Sequence, residues 1–430
     1  MGAAARDTIF ALSSGALPAG IAVVRVSGAQ AGAALHALAG RIPEPRRAVS
    51  ATLYDQERAM LDRALLLWLP GPGSATGEDI AEFHLHGGRA VVAAVLAALG
   101  ELPGLRMAEP GEFTRRAFSN GRFDLAQAEG LADLLAAETE AQRRQALRQA
   151  EGGLGKLVAG WRERLLGLAA RVEAAIEFAE DEDDVPALAP ADLAGMVLLA
   201  ADMEESLRQP PAERLRDGVR IVVAGPTNAG KSSLINILAG REAAIASPVA
   251  GTTRDLIEIP LSIGGMPCLL IDSAGLREGG GQVEQIGMAR ARGAIEAADL
   301  ILWLGPPGES PDRDRSILVR TKADLGKAGS GAADVATSTV TGEGLAALRD
   351  LLESRVRSLL PPADGIALNA RHRERVAEAV EELRAGEKQG DILFVAEHLR
   401  QARIALDRIT GRAGVEDMLD ALFGRFCIGK

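Results

Sequence analysis

Val219-Arg220-Ile221-Val222-Val223-Ala224-Gly225-Pro226-Thr227-Asn228-Ala229-Gly230-Lys231-Ser232-Ser233-Leu234-Ile235 is the stretch that decides the fold of this chain. It reads as an apolar, β-branched strand, a loop bounded by two glycines, and the start of a helix. The loop fits G-x-x-x-x-G-K-S in the strand-to-helix context that pattern needs. Gly225 and Gly230 let the backbone curl so that successive N–H groups converge on a polyphosphate, and the helix opening at Lys231 adds its positive dipole end. Lys231 is placed to reach the β- and γ-phosphates, and the Ser232 hydroxyl is placed to ligate Mg²⁺. A chance glycine-rich turn would lack the flanking strand and helix. These residues point to a nucleoside triphosphate bound in an α/β domain.

Working outward, residues 216–360 alternate strand and helix patterns, as a parallel α/β sheet requires. Pro210-Pro211 and Pro361-Pro362 bracket that stretch. On either side the pattern is helical. Leu154, Leu157, Trp161, Leu165, Leu168, Val172 and Ile176 recur at steps of three or four on one side, and Val376, Val380 and Leu383 on the other. The α/β domain is therefore expected to be inserted into a helical domain. The run Glu180-Asp181-Glu182-Asp183-Asp184 reads as a solvated acidic loop ending a helix rather than a metal site. Residues 1–122 mix strand runs at Ile21–Val26 and Ala64–Leu69 with helical patterns at Gly28–Leu38 and Ala90–Leu99, punctuated by Gly/Pro clusters. The expected division is 1–122, α+β; 123–215, helical; 216–360, nucleotide-binding; and 361–430, helical with a short tail.

Composition sets outer limits. The chain has 430 residues, 47% hydrophobic and 25% charged, enough for two or three globular domains. Aromatics supply only 3%, so its cores must lean on Leu, Ala, Val and Ile. Two cysteines, Cys268 and Cys427, make no disulfide framework, and the start of the sequence carries no secretory pattern; a cytoplasmic protein without membrane spans is expected. A net charge of −11 argues against a broad nucleic-acid-binding face. Cys268 reads as a small core residue in its strand.

Four further stretches follow the phosphate loop in order. Gly251-Thr252-Thr253-Arg254-Asp255 offers a threonine that can ligate Mg²⁺ while a γ-phosphate is present. Asp272-Ser273-Ala274-Gly275 follows a strand at Cys268–Ile271; its carboxylate can hold Mg²⁺ through water, and Gly275 can donate its N–H to the γ-phosphate. Thr321-Lys322-Ala323-Asp324 follows a strand at Ile317–Arg320, and Asp324 can accept the paired N–H donors of guanine, which adenine lacks. Ser338-Thr339-Val340 stands where a base-supporting loop would close the pocket. The ordered set reads as a guanine-nucleotide switch. The place just after Asp272–Gly275, where a glutamine commonly orients the attacking water, is Leu276, which cannot do so. Glu278 and Glu284 are the nearby carboxylates that could, or a charge could be supplied in place of an arginine finger.

The matching of Asp7-Thr8-Ile9, Val24-Arg25-Val26-Ser27-Gly28, Thr76-Gly77-Glu78-Asp79, His86-Gly87-Gly88, Pro110-Gly111-Glu112-Phe113-Thr114, Asp124-Leu125-Ala126-Gln127-Ala128-Glu129, the switch motifs and Phe426-Cys427-Ile428-Gly429-Lys430 carries the identification. Over nearly its whole length the chain resembles the MnmE (TrmE) family of tRNA-modifying GTPases. The resemblance implies a multidomain fold: an α+β N-terminal folate-binding domain, an α-helical central domain and an inserted α/β Ras-like P-loop GTPase domain. It implies a homodimer formed through the N-terminal domain, which takes 5-formyl- or 5,10-methylene-tetrahydrofolate as one-carbon donor, with Arg25, Glu82, Arg122 and Lys430 at its folate-contacting positions. Cations suit a folate glutamate tail and a carboxylate suits pterin N–H groups.

The resemblance also implies a potassium-activated GTPase. Asn228 matches the K⁺-coordinating asparagine, and Ser247, Val249 and Thr252 lie in the matching loop, which runs through Pro248, Ala250, Gly251 and Thr253. A cation held between phosphates neutralises developing charge as an arginine finger does. Glu284 matches the carboxylate that orients water. Ala229, Gly230, Lys231, Ser232, Ser233, Asp272, Ser273, Ala274, Gly275, Lys322, Asp324 and Ser338 match nucleotide-contacting positions, with Ser232 and Thr253 on Mg²⁺. Cys427 matches a C-terminal cysteine that is either a catalytic thiol or a lining residue of the folate site. With the FAD protein MnmG, the family places aminomethyl or carboxymethylaminomethyl groups on carbon 5 of the wobble uridine of certain tRNAs. The chain departs from the family pattern at Thr321, where asparagine is usual and one support for the base is lost, at Ser273 for threonine, and at Pro248. Its segment Gly305–Arg315 is short. The alternatives are a ribosome-assembly GTPase of the Era or Der type, which calls for a tandem G domain or a basic RNA-binding domain, and a generic P-loop ATPase, which Asp324 disfavours.

Overall fold

The computed structural model describes residues 7–177, 189–241, 258–272, 292–326, 332–411, 422–424, 426, 428 and 429. The chain divides into two compact units, Met1–Ala132 with Thr410–Lys430, and Asp133–Ile409. The first is the α+β part. The second holds the helices and the α/β part together.

In the first unit, β1 (Thr8–Leu12), β2 (Ala19–Ser27), β3 (Val49–Tyr54), β4 (Met60–Leu69), β5 (Ile80–Gly87) and β6 (Leu105–Met107) form one sheet in the order β3-β4-β5-β2-β1-β6. All pairs are antiparallel except β1 with β6. The helices α1 (Ala31–Ala39) and α2 (Arg89–Gly100) supply Leu35, Val92, Val95 and Leu99 to the core, where they meet Val24, Val26, Leu66, Phe83 and Leu85 from the strands. Alternation does the sorting. On β2, Ala22, Val24 and Val26 are buried, while Val23 and Arg25 turn to the other side. On β5, Phe83 and Leu85 point inward and Glu82 and His84 outward. The strand runs Ile21–Val26 and Ala64–Leu69 and the helices at 28–38 and 90–99 all hold, the ends moving by a few residues. After α3 (Glu112–Ser119) and the start of α4 (Leu125–Ala136), Phe423 and Phe426 pack with Ala128, Phe118 and Phe123, so the C-terminal segment is part of this unit's core.

In the second unit, α5 (Glu140–Ala150) opens with a capping box between Thr139 and Gln142, which satisfies two of its free N-terminal donors. It is followed by α6 (Gly153–Glu177), α7 (Pro190–Arg208) and the short α8 (Glu213–Arg216). The buried seam of α6 is Leu154, Val158, Trp161, Leu165, Leu168 and Val172, with Leu157 and Ile176 only half-buried. Those steps alternate four and three, a heptad spacing that keeps one face toward neighbouring helices, where the expected pattern drifted off it. The acidic run 180–184 lies outside the described residues.

The nucleotide domain follows: β7 (Val219–Ala224), α9 (Lys231–Arg241), β8 (Glu258–Ile263), β9 (Met266–Asp272), β10 (Leu300–Trp303), β11 (Ser316–Arg320), β12 (Val335–Ala336) and α10 (Leu345–Leu359). Strand order is β12-β11-β10-β7-β9-β8, parallel but for β8. This is a Ras-like arrangement with β7 in the centre. Cys268 is buried in β9, as expected of a core residue. The helices α11 (Ala370–Glu387) and α12 (Ile392–Thr410) resume the helical part. On α11 the buried face is Val376, Ala379 and Leu383, with Val380 half-buried beside it. The inserted arrangement read from the prolines is therefore present. No described helix is long and apolar enough to cross a membrane.

Candidate functional site

The phosphate loop leaves the C-terminal end of β7, where strand order switches direction between β10 and β9, the usual place for a ligand in an open α/β sheet. Gly225 has φ +148°, and a Cβ there would lie 3.1–3.2 Å from Leu304 backbone and side-chain atoms, so only glycine fits. Asn228 takes the left-handed conformation at φ +60°, and α9 begins at Lys231. Leu234 and Ile235 anchor that helix in the core, leaving Ser232 and Ser233 exposed on its first turn. The Lys231 ammonium donates to the carbonyls of Gly225 (3.1 Å) and Pro226 (2.8 Å), which holds its head over the loop. Asp272 ends β9 in register with Val223 of β7, which puts a carboxylate at the same edge of the sheet as the Ser232 hydroxyl. A carboxylate and a hydroxyl are oxygen ligands of the kind Mg²⁺ takes.

The guanine motif reaches that loop directly. Thr321 Oγ1 donates to the Ala229 carbonyl at 2.6 Å, and Lys322 Nζ to the Asn228 carbonyl at 2.9 Å. Thr321, read from the sequence as a lost support for the base, thus braces the loop between Gly225 and Gly230. Asp324 sits exposed in a single 3₁₀ turn, Ala323–Leu325. The Ala323 N–H donates to the Thr337 carbonyl (3.0 Å), tying this turn to the next loop. There Ser338 is fully buried, and its hydroxyl oxygen accepts the N–H groups of Val340 and Thr341. Its side chain shapes the turn at residues 338–342. Ser247, Pro248, Val249, Ala250, Gly251, Thr252, Thr253, Ser273, Ala274, Gly275, Glu278, Glu284, Cys427 and Lys430 lie outside the described residues.

A second constellation lies on the outward face of the N-terminal sheet. Arg25 and Glu82 are paired across β2 and β5. Arg25 donates from Nε (3.0 Å) and Nη2 (2.8 Å) to the same oxygen, Glu82 Oε1, and its guanidinium stacks 5.9 Å from the Phe113 ring centre. His84, two residues along β5, meets the other oxygen, Oε2, through Nε2 at 3.1 Å. Arg122 is exposed in the loop after α3, with its side chain near Gly77.

The C-terminal segment closes on this sheet. Ser13 Oγ donates to the Gly429 carbonyl at 2.7 Å, and Ile428 pairs with Pro110. Gly429 has φ +99°, and a Cβ on it would overlap the Leu12 carbonyl; one on Gly111 (φ +67°) would overlap the carbonyl of Phe423. Leu12 neighbours Val24 across β1 and β2, one residue from Arg25. Arg25 and Glu82 are therefore brought together, and the residue preceding Lys430 is fixed one strand away.

Sequence reading missed what the intervening motifs do. Glu112, nearly buried, takes bonds from Arg106 Nη2 (2.7 Å) and Arg116 Nη2 (2.9 Å), and Arg116 also reaches Glu78, which accepts from Ser27 Oγ (2.8 Å). Burial alone would raise the Glu112 pKa, but bonds from Arg106, the Glu109 N–H and Arg116 outweigh it and hold it at about 2. The Thr76–Asp79 and Pro110–Thr114 stretches thus contribute acidic members to one internal ion-pair network. Of these contacts only the Glu112–Arg116 pair, four residues apart on α3, follows from local spacing; Arg106, Glu78 and Ser27 come from separate elements.

Comparison with known proteins finds two family models. That of the GTP-binding protein TrmE N-terminus matches residues 8–122, and that of the MnmE helical domain matches residues 125–427. A tRNA modification GTPase MnmE of Erythrobacter litoralis (strain HTCC2594) is 57% identical over 99% of this chain and 100% of its own length. One from Rhizorhabdus wittichii is 58% identical over 100% of this chain and 98% of its own.

Proposed function

This chain belongs to the MnmE (TrmE) family of tRNA modification GTPases, and from that premise we propose how its two sites divide the work. It is a GTP hydrolase acting in tRNA modification. Lys231 and the N–H groups of the loop 225–232 bind the β- and γ-phosphates. Asp324 reads guanine, and Thr321 and Lys322 keep the base-reading turn in step with the phosphate loop. Ser232 and Asp272, with Thr253, hold Mg²⁺, and Asn228, with oxygens of Ser247, Val249 and Thr252, holds K⁺. Together these ions neutralise charge on the phosphates. Glu284 orients the attacking water.

The N-terminal sheet binds a tetrahydrofolate one-carbon donor, 5-formyl or 5,10-methylene, through Arg25, Glu82, Arg122 and Lys430. The observation that supports this reading is the seating of Gly429 on Leu12 and Ser13, next to the strand that carries Arg25 and its partner Glu82. The exposed Ile21, Met60 and Leu65 of β2 and β4 support pairing with a second copy through this domain. In the cytoplasm the homodimer works with the FAD protein MnmG on the wobble uridine of certain tRNAs, adding an aminomethyl or carboxymethylaminomethyl group at carbon 5. Cys427 either lines the folate site or acts as its thiol.

Hydrolysis drives closure of paired G domains. The strands β8 and β9 form a hairpin rooted in the two switch segments and tipped by Gly264 and Gly265, and the Ala141 N–H at the start of α5 donates to the Gly265 carbonyl (3.4 Å). That contact supports a route from nucleotide state to the helices. Mass spectrometry of tRNA from a strain lacking the gene tests the whole reading. Loss of the carbon-5 group at the wobble uridine is expected, and an unaltered modification pattern would overturn it.

A further inference from the structure

The Arg25–Glu82 pair has a third member that neither the motifs nor the folate reading uses. Glu82 is buried to the point where its side chain is 12% exposed, and His84 is 24% exposed beside it. An ionised carboxylate offers about four lone-pair sites. Arg25 fills both sites of Oε1 with its Nε and Nη2 hydrogens. His84 Nε2 occupies one site on Oε2, and facing a carboxylate already bound by arginine it carries the hydrogen and donates. Counting the described residues alone, one acceptor site is left, on Oε2. The terminal torsion of a glutamate is broad, so with Arg25 alone the carboxylate could pivot about Oε1. The imidazole stops that pivot.

We propose that His84 is a positioning residue for the folate site: it fixes the plane of the Glu82 carboxylate and leaves a single acceptor, on Oε2, for one N–H of the pterin ring. The proposal rests on the folate reading above and adds to it a determinant of specificity. A pterin presents its ring N–H and 2-amino group side by side. A freely pivoting carboxylate accepts from either, whereas one locked by Arg25 and His84 accepts from the donor that meets Oε2. His84 touches no substrate in this account; it acts through Glu82.

The test uses the full-length chain and two probes, 5-formyl-tetrahydrofolate and its analogue lacking the 2-amino group, titrated calorimetrically. The wild-type protein is expected to prefer the natural compound. His84→Leu, which fills the space without a donor, is expected to bind it about tenfold more weakly, the scale of one hydrogen bond to a charged group, and to lose much of the preference. His84→Gln restores a donor at that position and is expected to recover both. GTP hydrolysis should be the same in all three proteins, which verifies that the variants are folded. Wild-type binding with His84→Leu equal to it in affinity and preference overturns the proposal while leaving the folate reading intact. So does His84→Gln failing along with His84→Leu, since that would mark a need for the imidazole itself. A wild-type chain that takes up neither compound overturns the folate reading and the proposal with it.

Discussion

Thr321→Val isolates one bond. The two side chains are nearly the same shape, so the change removes the hydroxyl that donates to Ala229 at 2.6 Å and little else. Deleting one partner of a hydrogen bond and leaving the other unsatisfied costs about 1–3 kcal/mol. Ala229 is half-buried, so water can reach its carbonyl in part, and the lower end applies. Lys322 still holds the adjacent Asn228 carbonyl. A loss of about 1–1.5 kcal/mol corresponds to roughly five- to twelvefold weaker binding of GDP and GTP. Fluorescent-nucleotide titration in Mg²⁺ measures it. Thr321→Ser keeps the hydroxyl and should stay close to wild type, and turnover at saturating GTP should change less than affinity, because the brace acts on the bound loop before chemistry. If Thr321→Val binds nucleotide as tightly as the wild type, the hydroxyl does not steady the loop and the reasoning fails.

Gly429→Ala should dislodge the tail, since both its φ of +99° and the Leu12 carbonyl exclude a side chain. Calorimetry is expected to show folate affinity down about tenfold, the scale of a single charge-assisted hydrogen bond from Lys430, with GTPase rates unchanged; equal affinity would separate Lys430 from the site. Glu112 is held at about 2, below its ordinary 4.5, so its contribution to stability is complete above pH 4.5 and fades as pH falls toward 2. Denaturant melts of Glu112→Gln should accordingly show lower stability at neutral pH and a flatter acid limb; parallel limbs would contradict the network. Hydrolysis should run faster in K⁺ than in Na⁺, and Glu284→Ala should slow it without weakening GTP binding. Phosphate-release assays showing equal rates in the two salts, or unaltered turnover in the variant, would remove those two assignments.

How much of this was legible in the sequence depended on chain distance. The phosphate loop could be read at sight because its strand, glycines, lysine and helix are contiguous, and the structure has β7, the Gly225 and Gly230 conformations and α9 where expected. The helical seam was legible in kind. It was misassigned at Leu157, Ile176 and Val380, because residues one step apart both lie near the buried stripe and only the neighbouring helices choose between them. Long-range contacts were illegible from spacing. Ser13 and Gly429 are 416 residues apart, and only family resemblance joined the two ends. Glu82 was placed only as a folate-contacting position implied by the resemblance; that Arg25 and His84 take three of its acceptor sites could not be read from the sequence. At Thr321 a rule about the usual asparagine hid what a hydroxyl can do for the neighbouring loop.

The seating of Phe423 against Gly111, and of Gly429 against Leu12 and Ser13, has a consequence for biosynthesis. A ribosome finishes β1 and β2 long before it makes Phe423 and Phe426, so the nascent N-terminal unit lacks part of its core through most of translation. Products of early termination can retain an intact phosphate loop and still lack those two aromatic side chains. Packing of this part of the core thereby waits for residues made after the nucleotide domain.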